Sequence, residues 1–359
     1  MQTIQPLEGQ ILQKELHQDK RLTEELSKTV TLDIDIINSS LCYVNETIDG
    51  LSYAPAKFIC NDKMLTDISA LKGFIFLRYI NIGFNRLTNL RPLYGLINLI
   101  VLRAAHNEIE EFPCGNWPTL AHLDLSHNCI KKLTTVNYPR LLVLLLDNNQ
   151  LRTLTNQTDG LCCLNDHSVP KLHTLGLSHN LIETEDNITN DSNIIITSIG
   201  LELKSLKALY LGFNKLISCG NYKLKGENLQ TELTKYSTDK IQNYSYNSLI
   251  GYLPNLSVLN IRSTGLLNLD GITPECLPGI EYLNLRENQI GSLEEIKKLS
   301  SFQSLRTVIL TDNPVCDVKD YRLEVRVSLL NLRRLDKDVY TTEENEEADD
   351  LAMQRMQAT

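Results

Sequence analysis

The chain has 359 residues, of which 42% are hydrophobic and 22% charged, enough apolar side chains for a continuous core. Its formal net charge of −9 argues against a non-specific nucleic-acid binder, because attraction to phosphate needs a basic face. No apolar run approaches the ~20 residues that cross a bilayer, and the N-terminus, Met1-Gln2-Thr3-Ile4-Gln5-Pro6, lacks the basic-then-apolar build of a signal peptide.

Residues 1–50 do not repeat. Leu12, Leu16, Leu22, Leu26 and Val30, set among charged residues, predict a partly helical extension. It either lies on the first repeat or is offered to a partner.

From 51 to 315 one spelling recurs. Its clearest copy is Leu120-Ala121-His122-Leu123-Asp124-Leu125-Ser126-His127-Asn128-Cys129-Ile130. Leu123 and Leu125 flank Asp124, so they point inward along a strand while Asp124 points out. Asn128 sits where the chain leaves the strand, with donors and an acceptor for backbone groups of neighbouring coils. One coil cannot cover its own apolar face, so the units must stack. This pattern marks the leucine-rich repeat. About ten coils are readable, with Lys63 and Thr264 standing in the Asn slot of two of them. The fold expected is α/β, a solenoid with a parallel concave β-sheet. Leu87, Leu90, Leu93, Leu96 and Leu99 recur every third residue, which suits 3₁₀ or short helical turns on the convex side.

Spacing between Asn slots runs 22, 22, 21 and 21, then 31, 34 and 50, then 24 and 25. Three coils therefore carry polar insertions, near 156–169, 185–199 and 218–250. They are expected as loops, either tolerated surface additions or one composite patch. The nine cysteines are scattered and odd in number, and several occupy repeat positions, which reads as thiols in a reducing interior.

After Asn313-Pro314 the pattern ends and a C-terminal helical cap is expected over 316–340. Asp317 is the expected helix cap, with Asp320 in the reciprocal position. Tyr321, Val325 and Leu329 share one face, and Leu332, Leu335 and Asp336 follow. Residues 341–359 form an acidic tail, helical from Thr341 or solvated, and open to a basic partner.

Solvent-facing positions of the strands should stack into columns on the concave side. One reads Phe84, His106, His127, Asn148, His179, Phe213, Ser263, Glu287, Asp312. Another reads Asn81, Arg103, Asp124, Leu145, Gly176, Tyr210, Asn260, Asn284, Ile309. Adjacent histidines invite a metal reading, but zinc needs three or four convergent ligands and Asn148 interrupts them. No nucleophile lies beside a base and no glycine-rich phosphate loop is present, so neither an enzyme nor a cofactor or small-molecule substrate is expected. Aromatics and Arg are favoured interface anchors. The expected protein-binding face is therefore Phe84, Arg103, His106, His127, Tyr210, Phe213, Arg262 and Arg286.

The threefold Leu spacing and the ending Asn313-Pro314, Tyr321-Arg322, Val325, Leu332 and Leu335-Asp336 resemble the intracellular leucine-rich-repeat class typified by a regulatory subunit of protein phosphatase 1. A closer resemblance is to a radial-spoke family of motile cilia. It rests on Gly50-Leu51, Leu65-Thr66-Asp67-Ile68 and Leu77-Arg78-Tyr79 at one end, and on Leu22-Thr23-Glu24-Glu25 before them. At the other end it rests on Asp312-Asn313-Pro314, Arg334-Leu335-Asp336-Lys337, Tyr340 and Ala348-Asp349. The resemblance covers about residues 20–357 and is weakest at the three insertions. It implies a non-enzymatic scaffold in the axoneme, in the third radial spoke, with other spoke subunits as partners. The first resemblance implies instead a soluble phosphatase regulator.

Overall fold

In the computed structural model, residues 29–47, 50–155, 162–183, 199, 201–216 and 249–357 are described. The leucines at 12, 16, 22 and 26 and most of the three insertions lie outside them.

The chain enters through helix α1 (Ile34–Ser40), whose start is capped by Asp33 Oδ1 accepting from the Ile36 N–H. An antiparallel hairpin follows, β1 (Leu41–Glu46) and β2 (Tyr53–Ile59). Strand β2 then pairs in parallel with β3 (Tyr79–Asn81), in the register Phe58 to Ile80. The sheet thus begins about ten residues before the repeat pattern does.

One parallel strand per coil continues it. These are β4 (Val101–Arg103), β5 (His122–Asp124), β6 (Val143–Leu145) and β7 (Thr174–Gly176). Two further strands, β8 (Leu201–Glu202) and β10 (Gly251–Tyr252), stand apart and pair with each other in a second, parallel sheet. The main sheet resumes with β9 (Ala208–Tyr210), β11 (Val258–Asn260), β12 (Tyr282–Asn284) and β13 (Thr307–Ile309). It closes with β14 (Arg334–Leu335) and the antiparallel β15 (Asp338–Val339). The central residue of each three-residue strand is fully buried, and its neighbours, the buried Gly176 of β7 excepted, are more exposed, as the two-residue period of a strand requires.

The convex side varies. Early coils turn in 3₁₀ segments, Ser69–Gly73 and Arg91–Leu93, where Leu71 and Leu93 enter the core. A late coil carries helix α2 (Leu293–Lys297), continued by a 3₁₀ turn over Lys298–Ser301. In the middle coils the convex side is extended instead, since β8 and β10 lie there in register Leu201 to Gly251. Residues 163–169, expected inside a loop, are part of the coil wall: Cys163, Leu164 and Val169 are buried. Among the described cysteines, Cys60, Cys163 and Cys276 are buried as small core hydrophobes.

Neighbouring coils are locked by the asparagine ladder. Asn128 Nδ2 donates to Ala104 O of the preceding coil and to Leu125 O of its own, while its Oδ1 accepts from the Ile109 N–H. Asn85, Asn107, Asn149, Asn180, Asn214, Asn288 and Asn313 repeat this geometry. Thr264 keeps part of it, its hydroxyl donating to Ile261 O and Asn288 Oδ1.

The end of the stack is shielded by helix α3 (Tyr321–Ser328), which buries Val325, with Leu329, Leu332 and Leu335 behind it. Asp317 does not cap this helix. It ends a 3₁₀ turn, Pro314–Asp317, and the residue before the helix is Asp320 in the left-handed region, making no side-chain cap bond. Asp336 makes the closing contacts: its Oδ1 accepts from the backbone N–H groups of Leu310 and Thr311 and from the Thr311 hydroxyl. The acidic tail is helix α4 (Thr342–Gln357), docked on α3. Arg322 pairs with Glu344, Arg355 with Glu324, and Ala348 is buried between the helices. Among the described residues, no helix is long and apolar enough to cross a membrane.

Candidate functional site

The column from Phe84 to Asp312 is not on the strands. Each member lies three residues beyond its strand, in the turn that leads away from the concave face. Phe84, His106, His127, Asn148, His179, Phe213, Ser263, Glu287 and Asp312 all have φ between 54° and 65°. Non-glycine residues in this region are uncommon and cost about 1 kcal/mol or more each. A second ladder of backbone bonds holds them there. The N–H of Phe84 donates to Ala105 O at 3.0 Å, that of His106 to Ser126 O at 2.9 Å and that of His127 to Asp147 O at 2.8 Å. The series runs on to Glu287, whose N–H meets Thr311 O at 3.0 Å. With every backbone set alike, the side chains project alike and stack along one edge of the concave sheet.

Along that edge the rings lie face to face. Phe84 and His106 have centroids 4.2 Å apart, His106 and His127 4.0 Å, and His179 and Phe213 4.0 Å. Asn148 reaches His127 Nε2 at 3.4 Å. Arg262 covers the Phe213 ring at 5.0 Å and pairs with Glu287, and Arg286 pairs with Asp312 at 2.8 Å. Phe84 remains 58% exposed, and His106, His127, His179 and Phe213 are exposed with it. A parallel stack of imidazoles does not converge its nitrogens on one point. Among the described residues, no three His, Cys, Asp or Glu side chains are placed to hold a metal ion.

Two predicted contact residues do stand on strands. Arg103, at the end of β4, is exposed and lies over the Tyr79 ring at 5.9 Å. Lys57 on β2 also lies over this ring, at 4.8 Å. Tyr210 ends β9, half-buried between Gly176 and Asn260 of the adjacent strands. Arg262 and Arg286 are half-buried in the turns, two residues past β11 and β12, where Asn260 and Asn284 side chains accept from their N–H groups. The structure therefore gathers Phe84, His106 and His127 in one run and Phe213, Arg262 and Arg286 in another. Arg103 and Tyr210 lie on the sheet beside them.

The electrostatics follow. Burial, then the neighbouring His127, holds His106 below the ordinary imidazole value. Burial, then Arg103, does the same to His122 on the concave face. Arg262 holds the Glu287 carboxyl down through its hydrogen bonds. Burial raises Asp147, whose Oδ1 accepts from the Ser178 N–H at 2.7 Å. A Cβ at Gly176 would collide with that carboxylate, so the glycine makes room for it.

A family model described as leucine-rich repeat matches residues 217–358. The bovine leucine-rich repeat-containing protein 23 is 32% identical over 317 residues, 88% of this chain and 78% of that protein. The human protein of the same name is 31% identical over 321 residues, again 88% and 78%. Among solved structures, an internalin of Listeria monocytogenes is 20% identical with a TM-score of 0.44, covering 77% of this chain and 72% of that one.

Proposed function

We propose that this chain, which belongs to the leucine-rich repeat-containing protein 23 family, is a non-enzymatic scaffold of the axonemal radial spoke, in the third spoke, and supports ciliary motility. The observation that carries the scaffold reading is the stacked edge. Exposed rings and arginine–carboxylate pairs repeat on successive coils, each held by the same backbone turn. Such a surface is rigid before any partner arrives, so little side-chain entropy is lost on binding. Its residue types are those that anchor protein interfaces. The spoke assignment is supported by family membership together with the likeness at the two ends of the chain.

The test is the fate of a tagged chain when ciliated cells are extracted with detergent and salt. Retention in the axoneme is expected. A freely soluble cytoplasmic pool would contradict the assignment and favour the phosphatase-regulator reading, to be pursued by co-purification.

A further inference from the structure

Beside the cap lies a second surface, remote in kind from the ring-stacked edge. A cleft of about 430 Å³ opens between the last coil, the segment after α3 and the start of α4. Arg306, Arg326 and Arg333 line it, with Leu330, Val339 and Asn345, and no carboxylate does. This is a local inversion of charge on a chain of net −9. Elsewhere the guanidinium groups of this region are neutralised, Arg322 by Glu344, Arg355 by Glu324 and Arg286 by Asp312. Here they are not. Among the described residues, no carboxylate comes within ion-pairing distance of Arg306 or Arg333. The Arg306 guanidinium donates only to the carbonyls of Gln303 and Leu305.

Arg326 is the decisive member. It is 7% exposed. Its Nε donates to Asn345 Oδ1 at 2.7 Å and its Nη2 stands 3.6 Å from Asp349. Its Nη1 is buried with no acceptor. A buried charged donor without a partner is rare and costly, because its desolvation is uncompensated. A planar guanidinium in such a state matches the geometry of a carboxylate. The cleft also has an apolar rim, with Leu330 and Val339 50% and 56% exposed.

We propose that this cleft docks an acidic peptide segment of a partner protein. Arg306, Arg326 and Arg333 hold its carboxylates, and Leu330 and Val339 take an apolar neighbour. Helix α4 already shows the same chemistry in cis, its Glu344 bound to Arg322 of the cap.

The test uses the full chain and a dye-labelled synthetic peptide of glutamates around a central leucine, followed by fluorescence anisotropy. Saturable, salt-sensitive binding is expected. The Arg306→Glu/Arg333→Glu variant should bind about tenfold more weakly or worse, since bonds to charged groups are lost. Arg140→Glu, a charge reversal on an exposed arginine of a middle coil, should leave binding unchanged. If the double variant melts early, Arg333→Glu alone is read, because that side chain is exposed. Absence of saturable binding, or equal weakening by Arg140→Glu, would overturn the proposal. Displacement of the peptide by inorganic phosphate as readily as by unlabelled peptide would overturn it too, in favour of a free-phosphate site.

Discussion

Replacing Asn128 by alanine removes one rung of the asparagine ladder, and the consequences can be counted group by group. Alanine adds no apolar burial that would offset the loss. Asn128 Nδ2 donates to Ala104 O at 3.0 Å and Leu125 O at 2.9 Å, but neither carbonyl depends on it alone. Ala104 O also accepts from Asn107 at 3.1 Å, and Leu125 O from Asn149 at 3.0 Å. The Ile109 N–H, which meets Asn128 Oδ1 at 3.0 Å, has no second acceptor. One orphaned buried donor costs about 1–3 kcal/mol, and two half-satisfied carbonyls add to it, so the expected destabilisation is about 3 kcal/mol. Urea unfolding with an unchanged m-value is the assay. Asn137→Ala, on an exposed convex turn, should change stability by less than about 0.5 kcal/mol. An Asn128→Ala variant as stable as Asn137→Ala would refute the ladder's role in holding the stack.

Asp336→Ala should cost about 2–4 kcal/mol in the same assay, because its carboxylate closes the last coil through Leu310 and Thr311; wild-type stability would contradict that role. His106 should titrate by NMR below the ordinary imidazole value, and His127→Gln should move it upward. With the folded value depressed, the unfolded chain takes up the proton first as pH falls. The His106 contribution to stability is therefore complete above the ordinary value and is lost as pH drops from there through the folded value. Phe84→Gly and Phe213→Gly should leave the melting temperature nearly unchanged, since relief of a left-handed backbone worth about 1 kcal/mol offsets a lost ring contact of about the same size. The same changes should weaken retention in the axoneme, and full retention of the double variant would remove the stacked edge from the interface.

The solenoid was legible because its constraint is written in spacing. Asn85, Asn107 and Asn128 must each meet the coil before them, and only a step of about one coil length permits it. The edge was legible by position and misread in conformation. Periodicity shows that Phe84 and His106 are equivalent, but not that both have positive φ. The usual signal for that region is glycine, and this column has none. The left-handed turn is imposed by inter-coil backbone bonds, which no single residue type encodes. The cap was legible where burial decides, at Val325, Leu329 and Leu335. It was misread where local capping chemistry competes with a proline, at Asp317 in the turn that starts at Pro314. The β1–β2 hairpin carries no repeat to read. Strand β1 is mostly exposed and takes its place by pairing with β2, a long-range fact. The unsatisfied Nη1 of Arg326 is likewise a matter of which acceptors arrive nearby, and that emerges only once α3 and α4 are packed.

We propose this chain as a structural part of one radial spoke. Cryo-electron tomography of axonemes from cells lacking it tests that most directly. Density is expected to be lost from the third radial spoke, restored by the wild-type chain and less completely by the Phe84→Gly/Phe213→Gly variant. Intact third spokes in the absence of the chain would contradict it.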